Sequence, residues 1–115
     1  MFFIQIRKQA IKDLSTICKE NTEHVNRVAD IFTQLLQTDD PHESTQVQSS
    51  LLVILKQNAR TTLTEMFNHI NTAGIEEVRK RAIRYLVTKI PQLESNVLTK
   101  DVEDFLIKQI KQVSI

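Results

Sequence analysis

The side chains with the most chemistry to offer are cationic, and they come in two matching groups. Val78–Leu86 reads Val-Arg-Lys-Arg-Ala-Ile-Arg-Tyr-Leu; 72 positions earlier, Ile6–Leu14 reads Ile-Arg-Lys-Gln-Ala-Ile-Lys-Asp-Leu. Five of these nine positions are identical, and two more exchange Ile for Val or Lys for Arg. At about 100° per residue, Arg79 falls inside the apolar stripe of Val78, Ala82 and Leu86, and Arg7 occupies the same place in the first copy. A guanidinium there needs a partner, because an unpaired buried charge is strongly destabilising. The expected use is a structural bond to a carboxylate or to helix-end carbonyls, with Asp39 and Asp40 as candidate acids; an anion site is the alternative.

Arg81, Arg84 and Thr88 take the opposite, outer face, with Lys80 flanking. Lys8 and Lys12 are the equivalents of Lys80 and Arg84. Side by side, the two helices make a basic strip, interrupted by Gln48 and Leu52 on the helix between them. Such a strip is either a solvated face or a docking strip for an acidic protein. Nucleic acid fits poorly: the net charge is +1, and no aromatics are interleaved for base stacking.

Other chemistry finds little support. His24, His42 and His69 are scattered, without Cys or carboxylates at metal-ligand spacing. A single glycine leaves no Gly-rich phosphate loop. Cys18 is the one cysteine, so there is no disulfide framework, and it falls on an apolar stripe as a buried thiol. That suits a reducing compartment, nucleus or cytosol. Tyr85 and Phe105 read as packing groups. Neither a catalytic site nor a cofactor is expected.

The elements that position these residues are helices. Apolar residues recur at helical spacing over about 4–19, 23–38, 41–57, 59–71, 75–90 and 98–113. Their stripes include Ile6, Ile11, Leu14, Ile17 and Cys18 in the first helix, Val78, Ala82, Ile83 and Leu86 in the fifth, and Val102, Phe105 and Ile110 in the sixth. Asp40-Pro41-His42-Glu43 is a strong helix start, with a capping Asp, Pro at the first position and Glu at the third. The third helix has the broadest stripe and should be the most buried. Gly74, free to take positive φ, closes the fourth helix, and Pro91 stops the fifth.

With 115 residues, one Gly and two Pro, the chain is one helix-rich segment, 1–115, able to bury a core. No apolar run is long enough to cross a membrane. The odd helices begin roughly 35 to 40 residues apart, the range of HEAT and armadillo repeats. The expected fold is therefore all-α, a right-handed α-solenoid of about three HEAT/armadillo-like helix pairs. A closed six-helix bundle is the alternative, but it needs no copied nonapeptide. Phe2, Phe3, Ile4 and Ile6 are apolar where a solenoid end would be polar. The expectation is an internal slice or shortened form of a longer solenoid, with self-association through Phe2, Phe3 and Ile6.

Four stretches taken together carry a resemblance: Ile6–Leu14, Arg27–Asp40 (Arg-Val-Ala-Asp-Ile-Phe-Thr-Gln-Leu-Leu-Gln-Thr-Asp-Asp), Val78–Arg84 and Val97–Glu103. In this order, from about Ile6 onward, the chain closely resembles the apoptosis inhibitor 5 (antiapoptosis clone 11) family. The resemblance implies a HEAT- and armadillo-like scaffold in a nuclear protein, with the cytoplasm as a second location, that suppresses programmed cell death by binding proteins. It implies Acinus and a fibroblast growth factor as partners. Arg7 and Arg79 then look like the HEAT arginine that bonds an inter-helix aspartate, with Asp39 or Asp40 as the acid. The family's N-terminal repeats, heptad-bearing helical region and basic import tail have no counterpart here, and Met1–Gln5 depart from its pattern. A functionally impaired truncation is the alternative reading.

Overall fold

The computed structural model describes residues 2–113, with side chains over 5–112. Six α-helices follow one another, with no strand among the described residues: α1 (Phe2–Glu20), α2 (Val25–Leu35), α3 (Pro41–Gln57), α4 (Ala59–Thr72), α5 (Glu76–Lys89) and α6 (Asn96–Val113). Two 3-10 turns, Thr22–His24 and Ile90–Leu93, lead into α2 and out of α5. Among the described residues no helix is long and apolar enough to cross a membrane.

The local causes are visible at the joins. Asp40 caps α3, its Oδ1 accepting from the Glu43 N–H at 2.8 Å, with Pro41 in the first turn. Asn58 ends α3 and begins α4 in one residue, at φ −136 and ψ 58. Residues 36–38 leave α2 on i−3 hydrogen bonds, so α2 is shorter than the periodicity suggests. The last helix starts earlier than expected, because the Ser95 hydroxyl accepts from the Leu98 N–H at 3.3 Å. The expected positive φ at Gly74 is not there. Glu94 holds it instead, at φ 53, where the chain turns out of the 3-10 segment that contains Pro91.

Alternate helices stack. α1 lies along α3 and α2 along α4, while α5 rests on α4 and α2. α6 joins α4 through Phe67 and Phe105, whose rings stack at 4.1 Å. Arg60 to Asp101 at 2.7 Å and Gln109 to Asn71 at 2.9 Å tie α6 to α4 with the two helices running in the same direction. Six side-chain hydrogen bonds cross between distant helices or joins, and all six span 36 to 43 residues. A closed bundle has no reason for so narrow a spread; a stack of similar units does. The body is elongated, 47 × 28 × 23 Å.

The core runs through the centre of the stack: Val25, Phe32, Val47, Leu51, Ile54, Leu55, Met66, Ile70 and Leu86 have no exposed surface. Each such side chain contributes about 2 kcal/mol by leaving water. α3 is deeply buried, as its broad stripe implied, and it contacts α1, α2 and α4. The stripes of the outer helices are narrower than the periodicity suggested. Ile6, Ile17, Ile75 and Ile110 are 54%, 46%, 57% and 70% exposed, because α1 and α6 are covered on one side only and Ile75 lies outside α5 as its N-cap. Phe2 and Phe3, expected with Ile6 to mediate self-association, have side chains outside the described residues.

The two copied arginines are not buried. Both lie on exposed positions near the start of their helices. Arg7 bonds neither Asp39 nor Asp40: its Nη2 donates to Glu43 Oε1 at 2.7 Å, reaching from α1 to the first turn of α3. It is the acid that is buried, with 5% of its side chain exposed against 58% for Arg7. Asp40 is spent on its cap, and Asp39 faces Arg81 at 3.6 Å. Arg79 has no ion-pair partner among the described residues. The pair therefore separates in stability. Arg7→Ala leaves a buried carboxylate without its cation and is expected to cost about 2 kcal/mol, while Arg79→Ala stays within about 0.5 kcal/mol. Urea unfolding of the two variants measures both.

Candidate protein-interaction surface

The outer face of α5 borders an open groove of about 1060 Å³. Ser44 and Gln48 of α3 and Leu36 at the end of α2 line it opposite Lys80, Arg81, Ile83, Arg84, Val87 and Thr88. Three of the five basic residues singled out in the sequence, Lys80, Arg81 and Arg84, thus meet here. Lys8 and Lys12 are exposed on α1 and do not line the groove. Of the two residues expected to interrupt a basic strip, Gln48 forms part of the groove wall, and Leu52, one turn further along α3, is half-buried and does not line it.

Arg81 is held by the fold. Its Nε donates to Glu77 Oε2 at 2.9 Å, its Nη1 to the Thr38 carbonyl at 3.5 Å, and its Nη2 lies 3.6 Å from Asp39. The hydrogen bond from Arg81, then the positive charges of Arg81, Lys80 and Arg84, hold the Glu77 carboxyl below its ordinary range. Lys80 and Arg84 have no ion-pair partner among the described residues. They flank Val87, 51% exposed, and half-buried Ile83. An apolar strip edged by free cations suits an amphipathic segment with acidic flanks.

Tyr85 fixes the position of α5 against α3. It is buried, and its hydroxyl donates to the Gln48 carbonyl at 2.9 Å. That carbonyl lies within α3, so the bond adds to the helix ladder without replacing it. Sequence reasoning placed Tyr85 as a packing group and had no signal for the bond. It also missed Glu43 as an inter-helix acid; the Asp-Pro-His-Glu cap pattern marked the residue, but assigned it to its own helix end. Cys18 is fully buried, and burial pushes its thiol up from the ordinary value. Among the described residues no three His, Cys, Asp or Glu gather in a way that would hold a metal ion.

Residues 3–115 match the family model described as apoptosis inhibitory protein 5. The chain belongs to the apoptosis inhibitory protein 5 family. It is 46% identical over 110 residues to human apoptosis inhibitor 5, covering 96% of this chain and 20% of that protein. It is 44% identical over 110 residues to Xenopus laevis apoptosis inhibitor 5-B, covering 96% of the chain and 20% of the relative. It is 41% identical over 108 residues to the Drosophila melanogaster homolog, covering 94% and 20%. The chain thus spans about a fifth of the length of these relatives. The family carries the name of apoptosis inhibitors, and the described residues form the all-α, repeat-like stack that its resemblance implied.

Tyr85 is the chain's one tyrosine, so its ionisation is directly readable. Burial pushes its phenol well above the ordinary value of about 10. A raised folded-state pKa contributes stability that is fully present below the unfolded value. That contribution falls away as pH rises above about 10. In an alkaline titration, tyrosinate absorbance is expected to rise together with loss of helical circular dichroism. In Tyr85→Phe this share of the alkaline destabilisation disappears. A phenol titrating near its ordinary value in the still-helical chain would contradict the burial.

Proposed function

We propose that this chain is a non-enzymatic protein-binding scaffold that serves suppression of apoptosis by presenting the outer face of α5 to an acidic protein partner. One observation carries the reading: Lys80 and Arg84, both unpaired among the described residues, edge the apolar strip of Ile83 and Val87. The naming of the relatives as apoptosis inhibitors supports the biological direction. The resemblance favours nuclear action, and makes Acinus and a fibroblast growth factor the first partners to look for. Lys8 and Lys12 extend the positive field along α1 without lining the groove. They contribute to the rate of encounter more than to the bound state.

The experiment is a capture from nuclear extract, read by mass spectrometry, with the chain as bait and Lys80→Glu/Arg84→Glu as comparison. Arg81 is left intact because it bonds Glu77 and Thr38. The reversal is expected to keep helicity and to lose the specific protein partners. Partners retained by the variant would place the binding elsewhere. Recovery of chaperones alone by both baits would favour the impaired-truncation reading. Partners that are nucleic acids, lost steeply with added salt, would overturn the proposal.

A further inference from the structure

The internal repeat supplies a template for what sits on α5. At a shift of 72 positions, Arg7, Ile11 and Ser15 of α1 become Arg79, Ile83 and Val87 of α5. In α1 this row of successive turns faces a helix. Ile11 and Ser15 are 4% and 5% exposed, α3 lies alongside, and Arg7 reaches Glu43 at 2.7 Å. In α5 the same row lies open. Arg79 is exposed without an ion-pair partner among the described residues, Ile83 is half-buried and Val87 is 51% exposed. The open copy is also the more apolar one, with Val87 where the covered copy has Ser15.

We infer that Arg79, Ile83 and Val87 form a docking face for a partner helix that carries a carboxylate in its first turn and apolar side chains four and eight residues further on. α3 shows the pattern that fits: Glu43 on Arg7, with Val47 and Leu51 fully buried on the following turns. Arg7 and Glu43 both lie near the start of their helices, so the partner helix runs parallel to α5, with its first turn at Arg79. The carboxylate meets a guanidinium in a charge-assisted hydrogen bond. It also gains from its own helix's N-terminal dipole, as Glu43 does. The apolar turns cover Ile83 and Val87, and Lys80 and Arg84 line the far edge, where acidic residues of the same partner complement them. This deepens the proposed function and rests on it for the surface, but it names a different residue, Arg79, and a specific partner chemistry.

The test uses the full chain and a fluorescently labelled synthetic peptide with the sequence of residues 40–57, which carries the Asp-Pro cap, Glu43, Val47 and Leu51. Fluorescence anisotropy reads binding, and circular dichroism checks that each chain variant keeps its helicity. The expected result is saturable binding, weakened at least about tenfold by Arg79→Glu in the chain or by Glu43→Lys in the peptide, and restored when the two are combined. Three results would overturn the inference. One is the absence of saturable binding. Another is binding indifferent to Arg79→Glu. The third is binding lost with Arg7→Glu but not Arg79→Glu, which would mean that the peptide displaces α3 from α1. The Lys80→Glu/Arg84→Glu capture stands apart. If partners are lost there while the peptide ignores Arg79, the surface survives and only the α3-like partner is wrong.

Discussion

No helix pair in this chain can bury its own apolar stripe, and that constraint organises everything else. A helix with a broad stripe needs cover on two or three sides, and a hairpin of two helices supplies one. The solution is lateral. α1 covers α3, α2 covers α4, and α3 becomes the centre, with Val47, Leu51, Ile54 and Leu55 wholly out of water. The same constraint sets the spacing of the polar links. Each reaches one unit along the stack, which is why they span 36 to 43 residues.

Two similar segments then have different fates because of what lies beside them. Arg7 meets a buried carboxylate and becomes part of the α1–α3 interface. Arg79, with similar neighbours in sequence, faces outward. Sequence repetition makes the helices interchangeable as folding units, whereas position in the stack decides which of their residues are structural and which are available. On α5, Tyr85 ties the helix to α3 and Arg81 ties it to the α2–α3 join, and the basic and apolar groups beside them line the open groove. The function argued for this chain follows from that asymmetry: a scaffold binds through the faces that stacking does not consume.

Much of this was legible in the residues. Helical periodicity located all six helices, and Asp40-Pro41 marked the start of α3 to the residue. The copied nonapeptide separated a repeat stack from a bundle. The illegible part is tertiary. A wheel places Arg7 and Arg79 on an apolar stripe, but a stripe edge at the start of a helix is buried only if a neighbour extends that far. The partner of Arg7 was hidden because Glu43 has a plausible local role in a capping pattern. Its carboxylate leaves that role and turns to α1, while Asp40 alone caps the helix. Gly74 and Glu94 show the same limit in the backbone: a glycine permits a left-handed turn, and the path of the chain decides where one is needed. The gathering of Lys80, Arg81 and Arg84 in the groove was readable from helical spacing. The walls contributed by Ser44 and Gln48 were not, since they depend on how α5 leans on α4.

Hydrogen exchange of the isolated chain, read by mass spectrometry peptide by peptide, tests the stack most directly. Stability in a stack is a sum over neighbours, so protection follows the number of covered sides. A stack of this order gives the slowest exchange in α3 and in the adjoining parts of α2 and α4, faster exchange in α1 and α5, and the fastest in α6. Equal protection across all six helices, lost together at one denaturant concentration, would describe a closed cooperative bundle and rule out a stack.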